Sequence, residues 1–193
     1  MIGCCGANLE SLRFAFGRLG VDIEITDDPE RLAQASHVIL PGVGAARTAM
    51  SRLEQAELAA LIPTLRMPVL GICVGMQLLF RHSAEDDTTC LGIVDAVVER
   101  LPAAPGLPIP EMGWNQIETE RPCPLTEGIE SGGFAYFVHS YAAPPGPYSV
   151  AVTEYGVPFT SIVAQDNFYG TQFHPERSST LGARILANFL RIR

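Results

Sequence analysis

The pentapeptide Gly71-Ile72-Cys73-Val74-Gly75 constrains this chain more than any other stretch. It follows Pro68-Val69-Leu70, a short apolar run that predicts a buried strand, and leads into Val74 to Phe80, whose pattern predicts the start of a helix. A G-x-[SC]-x-G turn between strand and helix holds its central side chain up in a strained backbone position. Glycine is needed on both sides, because a Cβ there clashes where the chain reverses. A thiol at the start of a helix also has its thiolate stabilised by free N–H groups and the helix dipole. Cys73 is therefore a candidate nucleophile, in a turn that belongs to a layered α/β sheet.

The first half of the chain agrees with that architecture. Leu9, Leu12, Phe16 and Leu19 fall at helical spacing over residues 8–19, and Gly20 follows as a stop signal. Residues 21–25 alternate and predict a strand, 29–34 a short helix, and 37–40 a buried strand running into Pro41-Gly42-Val43-Gly44. Residues 45–65 are helical in pattern, broken near Pro63. Such alternation predicts right-handed parallel crossovers. In the second half, residues 91–101, 114–117, 134–141, 149–155, 159–165 and 168–173 predict closely spaced strands that favour antiparallel pairing. Residues 178–193 predict a closing helix. The expectation is an α/β fold with a central, mostly parallel sheet flanked by helices and additional antiparallel strands in the second half, all in one domain spanning 1–193.

Composition narrows the function. A net charge of −8 argues against nucleic-acid binding, which needs a basic face. No apolar run approaches the roughly 20 residues that span a bilayer, and no signal peptide is visible. Five cysteines (Cys4, Cys5, Cys73, Cys90, Cys123) are an odd number without a C-x-x-C pair or zinc-like spacing, which predicts free thiols in a reducing cytoplasm and no metal.

About a hundred residues beyond the elbow stands Gln172-Phe173-His174-Pro175-Glu176. A free thiol is only a few per cent ionised at neutral pH and needs an activating base. His174 supplies one. In extended backbone, which Pro175 favours at His174, residues i and i+2 point the same way, so Glu176 can hold the imidazole in one tautomer. The tetrahedral oxyanion of acyl transfer needs donors: the backbone N–H of Val74, and one from the Gly42-Val43-Gly44 turn at the carboxyl end of the neighbouring strand.

Together, P-G-V-G, G-I-C-V-G-M-Q-L-L, M-G-W-N, Y-F-V-H-S-Y and Q-F-H-P-E-R-S resemble the triad (class I) glutamine amidotransferases. Within them they are most similar to the glutaminase subunits of imidazole glycerol phosphate synthase, over nearly the whole chain. The resemblance implies that Cys73, His174 and Glu176 hydrolyse L-glutamine through a thioester without a cofactor. It implies an oxyanion hole from Val43, Gly44 and Val74, and glutamine contacts at Gly42, Gly44, Gln77, His139, Ser140 and Tyr141. Ammonia would pass to a (β/α)8-barrel cyclase subunit in a heterodimer, across a face carrying Asn8, Trp114, Asn115, Tyr136 and Arg177. The family keeps its oxyanion loop unproductive until the cyclase binds its ligand, so this chain alone is expected to be a poor glutaminase. Two departures stand out: only Met1-Ile2 precede the first glycine-rich turn, with Gly3 where an Asp is usual, and Glu111 stands before M-G-W-N where a histidine is common. The alternatives are a glutaminase serving another synthase, a γ-glutamyl hydrolase, or a non-catalytic scaffold. M-G-W-N and V-H-S-Y argue against the first two, and the intact triad argues against the third.

Overall fold

A computed structural model describes residues 1–6 and 9–193. In chain order the elements are α1 (Leu9–Arg18), α2 (Pro29–Ala33), β1 (Val38–Gly42), α3 (Ala46–Gln55), β2 (Val69–Cys73), α4 (Val74–Gln77), β3 (Phe80–Ser83) and β4 (Thr88–Thr89). Then come β5 (Val94–Arg100), β6 (Glu111–Thr119), β7 (Gly133–His139), β8 (Tyr141–Ala142), β9 (Ser149–Tyr155), β10 (Val157–Gln165), β11 (Phe168–Thr171) and α5 (Ser179–Phe189).

Seven strands form one sheet in the order β1-β2-β11-β10-β9-β6-β7. The α/β class is as expected, but the sheet is mixed rather than mostly parallel. Only β1–β2 and β2–β11 pair in parallel, while β11–β10, β10–β9, β9–β6 and β6–β7 are antiparallel. β9, β10 and β11 are joined by connections of one and two residues, which permit hairpins and not crossovers. A second sheet, β4-β3-β5-β8, lies beside the first. β7 and β8 are separated by Ser140 alone, so the chain passes from one sheet to the other at that residue.

The large sheet curls. β7 is four places from β11 in the strand order, yet the Tyr136 carbonyl accepts the N–H of His174, just beyond β11, at 3.0 Å. This curl brings the second half of the chain around to Cys73. The parallel strands β1 and β2 are buried along their whole length. Against the same core α5 packs Ile185, Leu186 and Phe189, all essentially fully buried, each worth about 1.5–3 kcal/mol of transfer free energy.

Four elements differ from the sequence reading. Residues 21–25 form no strand: the Val21 N–H closes back onto the Phe16 carbonyl, the Met1 ammonium donates to the Glu24 carbonyl and the Thr26 N–H to the Met1 carbonyl, which do not make a ladder. The helix expected to reach Leu65 ends at Gln55, where Glu57 adopts φ 59° and the Leu58 N–H closes back onto the Leu53 carbonyl. Leu53 and Leu58 are both fully buried, so packing offsets the strain of a non-glycine cap. The helix after the elbow has a single turn, because the carbonyls of Leu78, Leu79 and Phe80 are taken by the N–H groups of residues 91–94, and Phe80 opens β3. The final helix stops at Phe189 rather than 193.

Candidate active site

Backbone packing builds the elbow. Cys73 has φ 54° and ψ −113°, a conformation that costs a side-chain-bearing residue about 1–3 kcal/mol and must be held by its surroundings. The hold is the close approach of β1 to the turn. A Cβ on Gly75 would lie 1.8 Å from the Leu40 carbonyl oxygen, and one on Gly71 would lie 2.6 Å from the Gly75 oxygen. Gly42 belongs to the same contact, since its Cβ would meet the Gly75 nitrogen at 2.7 Å.

His174 is fastened at three points. Its N–H donates to Tyr136, its carbonyl accepts the Ser178 hydroxyl at 2.7 Å, and that hydroxyl accepts the Tyr136 N–H at 2.9 Å. The backbone at His174 is extended (φ −93°, ψ 100°), and Nδ1 lies 2.9 Å from the Glu176 carboxylate. A carboxylate only accepts, so Nδ1 carries the proton and Nε2 is left on the side of the ring away from Glu176, in the cavity that Cys73 and His174 both line. Burial by itself pushes the imidazole pKa down. Hydrogen bonds and charge from Cys73 and Glu176 outweigh it and raise the pKa to about 10. Cys73 is 4% exposed.

These groups open onto a cavity of about 260 Å³. Val43 and Gly44 come from the loop after β1, Cys73, Val74 and Gln77 from the elbow, His174 from the turn after β11, and His139, Ser140 and Tyr141 from the junction of the two sheets. Gly44 has φ 84°, a conformation that suits glycine. The Gln77 amide donates to the Tyr141 carbonyl at 2.8 Å and to the Gln172 amide oxygen at 3.1 Å. Of the expected glutamine contacts, Gly42 alone does not line the cavity: it packs behind the elbow.

Two cavity residues carried no signal in the sequence reading, Glu85 and Pro110, and Val138 was quoted within a motif but given no role. Glu85 is the cavity's carboxylate, and its Oε2 accepts the Ala46 N–H at 2.8 Å, at the start of α3 directly after the Gly42–Gly44 turn. Gln172, quoted within a motif but given no role, has its amide nitrogen 3.9 Å from the Cys73 sulfur. Neither is legible from local pattern, since each acts on a residue far away in the chain.

On the outer face of β6 and β7, the Trp114 and Tyr136 rings pack edge to face at 6.0 Å, and the Arg177 guanidinium sits 5.9 Å from the Tyr136 ring centre. Met112 and Phe134, not singled out in the sequence, extend this exposed apolar patch. Asn115 points the other way, donating to Glu111 and to the Glu154 carbonyl, both at 2.9 Å. Asn8 lies outside the described residues.

A buried Cys–His–Glu array on a strand–turn–helix elbow is the arrangement that acyl-transfer hydrolases with a thiol nucleophile use. The chain matches the family model "Glutamine amidotransferase class-I" over residues 2–192. It is 47% identical to the imidazole glycerol phosphate synthase subunit HisH of Shewanella loihica, over 98% of this chain and 88% of that protein. It is 48% identical to the subunit of that name from Haemophilus influenzae, over 97% and 93%. Among solved structures, a glutamine amidotransferase superposes with TM-score 0.76 at 21% identity, over 98% of this chain and 96% of the other. A GMP synthase protein from Thermoplasma acidophilum gives 0.75, also at 21% identity, over 98% and 90%. This chain belongs to the class I glutamine amidotransferase family.

Proposed function

We propose that this chain is the glutaminase subunit of imidazole glycerol phosphate synthase, supplying ammonia to a (β/α)8 cyclase subunit in histidine biosynthesis. The observation that carries the chemistry is the cavity of about 260 Å³ joining Cys73, His174 and the Glu85 carboxylate. That volume is below the roughly 300–1,000 Å³ of drug-sized sites and suits a single amino acid. The names of the relatives, all subunits of that synthase, support the pathway and the cyclase partner. The chain and its partner act in the cytoplasm on this reading, in keeping with the absence, among the described residues, of a helix long and apolar enough to cross a membrane.

The Cys73 thiolate attacks the side-chain carboxamide carbon of glutamine. The oxyanion faces the N–H of Val74 and N–H groups of the Val43-Gly44 loop, each such donor being worth about 2.7–4 kcal/mol. The His174 imidazolium gives its proton to the departing nitrogen, and the C–N bond breaks to leave ammonia and a thioester. His174 then takes a proton from water, which attacks the thioester and releases glutamate and the thiol. Glu176 keeps Nδ1 protonated throughout. Glu85 faces the α-ammonium of the substrate, and Gln77 with the His139–Tyr141 strand end holds its other polar atoms. Trp114, Tyr136 and Arg177 face the cyclase.

The test is reconstitution with a cyclase subunit. Cys73→Ala is expected to abolish glutamine-dependent synthesis and to leave ammonia-dependent synthesis intact; loss of both would mean a structural role for Cys73. Glutamate release is expected to rise when the cyclase and its nucleotide are added, and equal rates with and without them would rule out gating of the oxyanion loop.

A further inference from the structure

Glu111 has no part in the chemistry above, yet it is 3% exposed. It opens β6 directly opposite His139, the last residue of β7. Its Oε1 accepts the Asn115 amide at 2.9 Å. Its Oε2 lies 3.0 Å from His139 Nε2, close but outside hydrogen-bond geometry, and neither atom has a hydrogen-bond partner among the described residues. The His139 ring is held between Phe159 and Phe137, at 5.0 and 5.7 Å between centres, and cannot turn towards water.

Counting protons decides what this pair is. His139 Nδ1 stands 2.9 Å from the Tyr141 carbonyl, which can only accept, so Nδ1 carries a hydrogen. A neutral ring then presents a lone pair at Nε2 to a carboxylate lone pair in a dry site, which is repulsive. A proton between Nε2 and Oε2, whichever atom bore it, would turn that repulsion into an attraction.

The pair also forms a wall. Glu111 lines an outer cavity of about 600 Å³ together with Trp114 and Asn115, whereas His139 lines the glutamine cavity. On the inner side, the Tyr141 carbonyl takes a second hydrogen bond from Gln77 of the elbow helix. Polar groups therefore run from Asn115 through Glu111, His139 and Tyr141 to Gln77, every step a hydrogen bond except the 3.0 Å approach of Glu111 to His139.

We infer that Glu111 is a positioning residue for glutamine binding: through a proton shared with His139 it holds the strand end at Tyr141 against the elbow and links it to the Trp114 face. This rests on the glutaminase reading above.

The test uses the full chain with its cyclase and compares the parent with Glu111→Gln and Glu111→Met. The Gln variant offers an N–H to Nε2 and an oxygen to Asn115, so it restores every contact without a shared proton. The Met variant strips Nε2 of its partner. Loss of one buried hydrogen bond corresponds to about a tenfold rise in KM for glutamine, with kcat little changed. The expected result is that rise in Glu111→Met, a parental KM in Glu111→Gln, and ammonia-dependent synthesis unchanged in both. A parental KM in Glu111→Met, or a Gln variant as impaired as the Met variant, overturns the inference. A parent complex that hydrolyses glutamine shows that such a failure belongs to this inference and not to the functional reading. Independently of any variant, ¹⁵N spectra of the parental histidines are expected to show His139 protonated at Nδ1; an unprotonated Nδ1 overturns it as well.

Discussion

Substituting Gly75 by alanine puts the packing account of the elbow at risk. The added Cβ would lie 1.8 Å from the Leu40 carbonyl oxygen, 2.8 Å from its carbon and 3.1 Å from the Pro41 carbon, all backbone atoms of β1. Ordinary contact begins at 3.4 Å, so strand and turn must part by about 1.6 Å, and no flexible side chain is present to absorb the shift. Overpacking costs about 1–3 kcal/mol, and a clash between two backbones belongs at the upper end. At about 2–4 °C per kcal/mol for a chain of this size, Tm is expected to fall by about 6–12 °C. The larger effect is on activity. β1 carries the Gly42–Gly44 turn, so separating it from Cys73 opens the oxyanion site by more than 1 Å, and a 1 Å misplacement costs about 10²-fold. The assay is glutamate release by the reconstituted complex, alongside thermal melting followed by circular dichroism. Gly17→Ala is the control: nothing lies within 4 Å of its Cβ, and in the α1 helix the same change is expected to stabilise by about 0.5–1 kcal/mol. A Gly75→Ala protein with Tm within 1 °C and kcat/KM within threefold of the parent would refute the reasoning.

Other outcomes follow from the site. His174 has a pKa raised to about 10, against 6.5 unperturbed, so its contribution to stability is complete below pH 6.5 and is lost as pH rises through about 10. The alkaline limb of kcat/KM is expected near pH 10 for the same reason, because the imidazolium must still hold the proton it gives to ammonia; a limb near 6.5 would contradict the pairing with Cys73 and Glu176. Glu85→Gln keeps an oxygen for the Ala46 N–H but loses the charge, so KM for glutamine should rise with Tm unchanged, while Glu85→Ala should also lose about 1 kcal/mol of helix capping in a denaturation curve. Trp114→Ala removes a ring that is 53% exposed, so the melting of the isolated chain should barely move, whereas affinity for the cyclase should fall by about 2 kcal/mol, roughly 30-fold in Kd by calorimetry.

Where the sequence reading went astray, long-range competition decided. Nothing near Glu57 announces a helix end, because the stop is the burial of Leu53 against Leu58. Leu78, Leu79 and Phe80 suit a helix or a strand equally, and the segment 91–94 chose by taking their carbonyls. The segment 21–25 forms no strand, its backbone bonds going to the Phe16 carbonyl and to Met1 rather than into a ladder.

The chain by itself determined the local geometry of the candidate nucleophile, its candidate base and the carboxylate behind it. An elbow needs glycines at fixed offsets from Cys73, and His-Pro-Glu sets imidazole and carboxylate two residues apart on extended backbone; both are local geometries written in consecutive residues. The tertiary structure decided everything that depends on residues meeting from afar. The curl of the sheet joins Tyr136 to His174, Glu85 reaches the turn after β1, Gln172 approaches the Cys73 sulfur, and Glu111 finds His139 across a strand pair. Contacts of this kind follow from packing the whole core, and no short stretch of sequence specifies that packing.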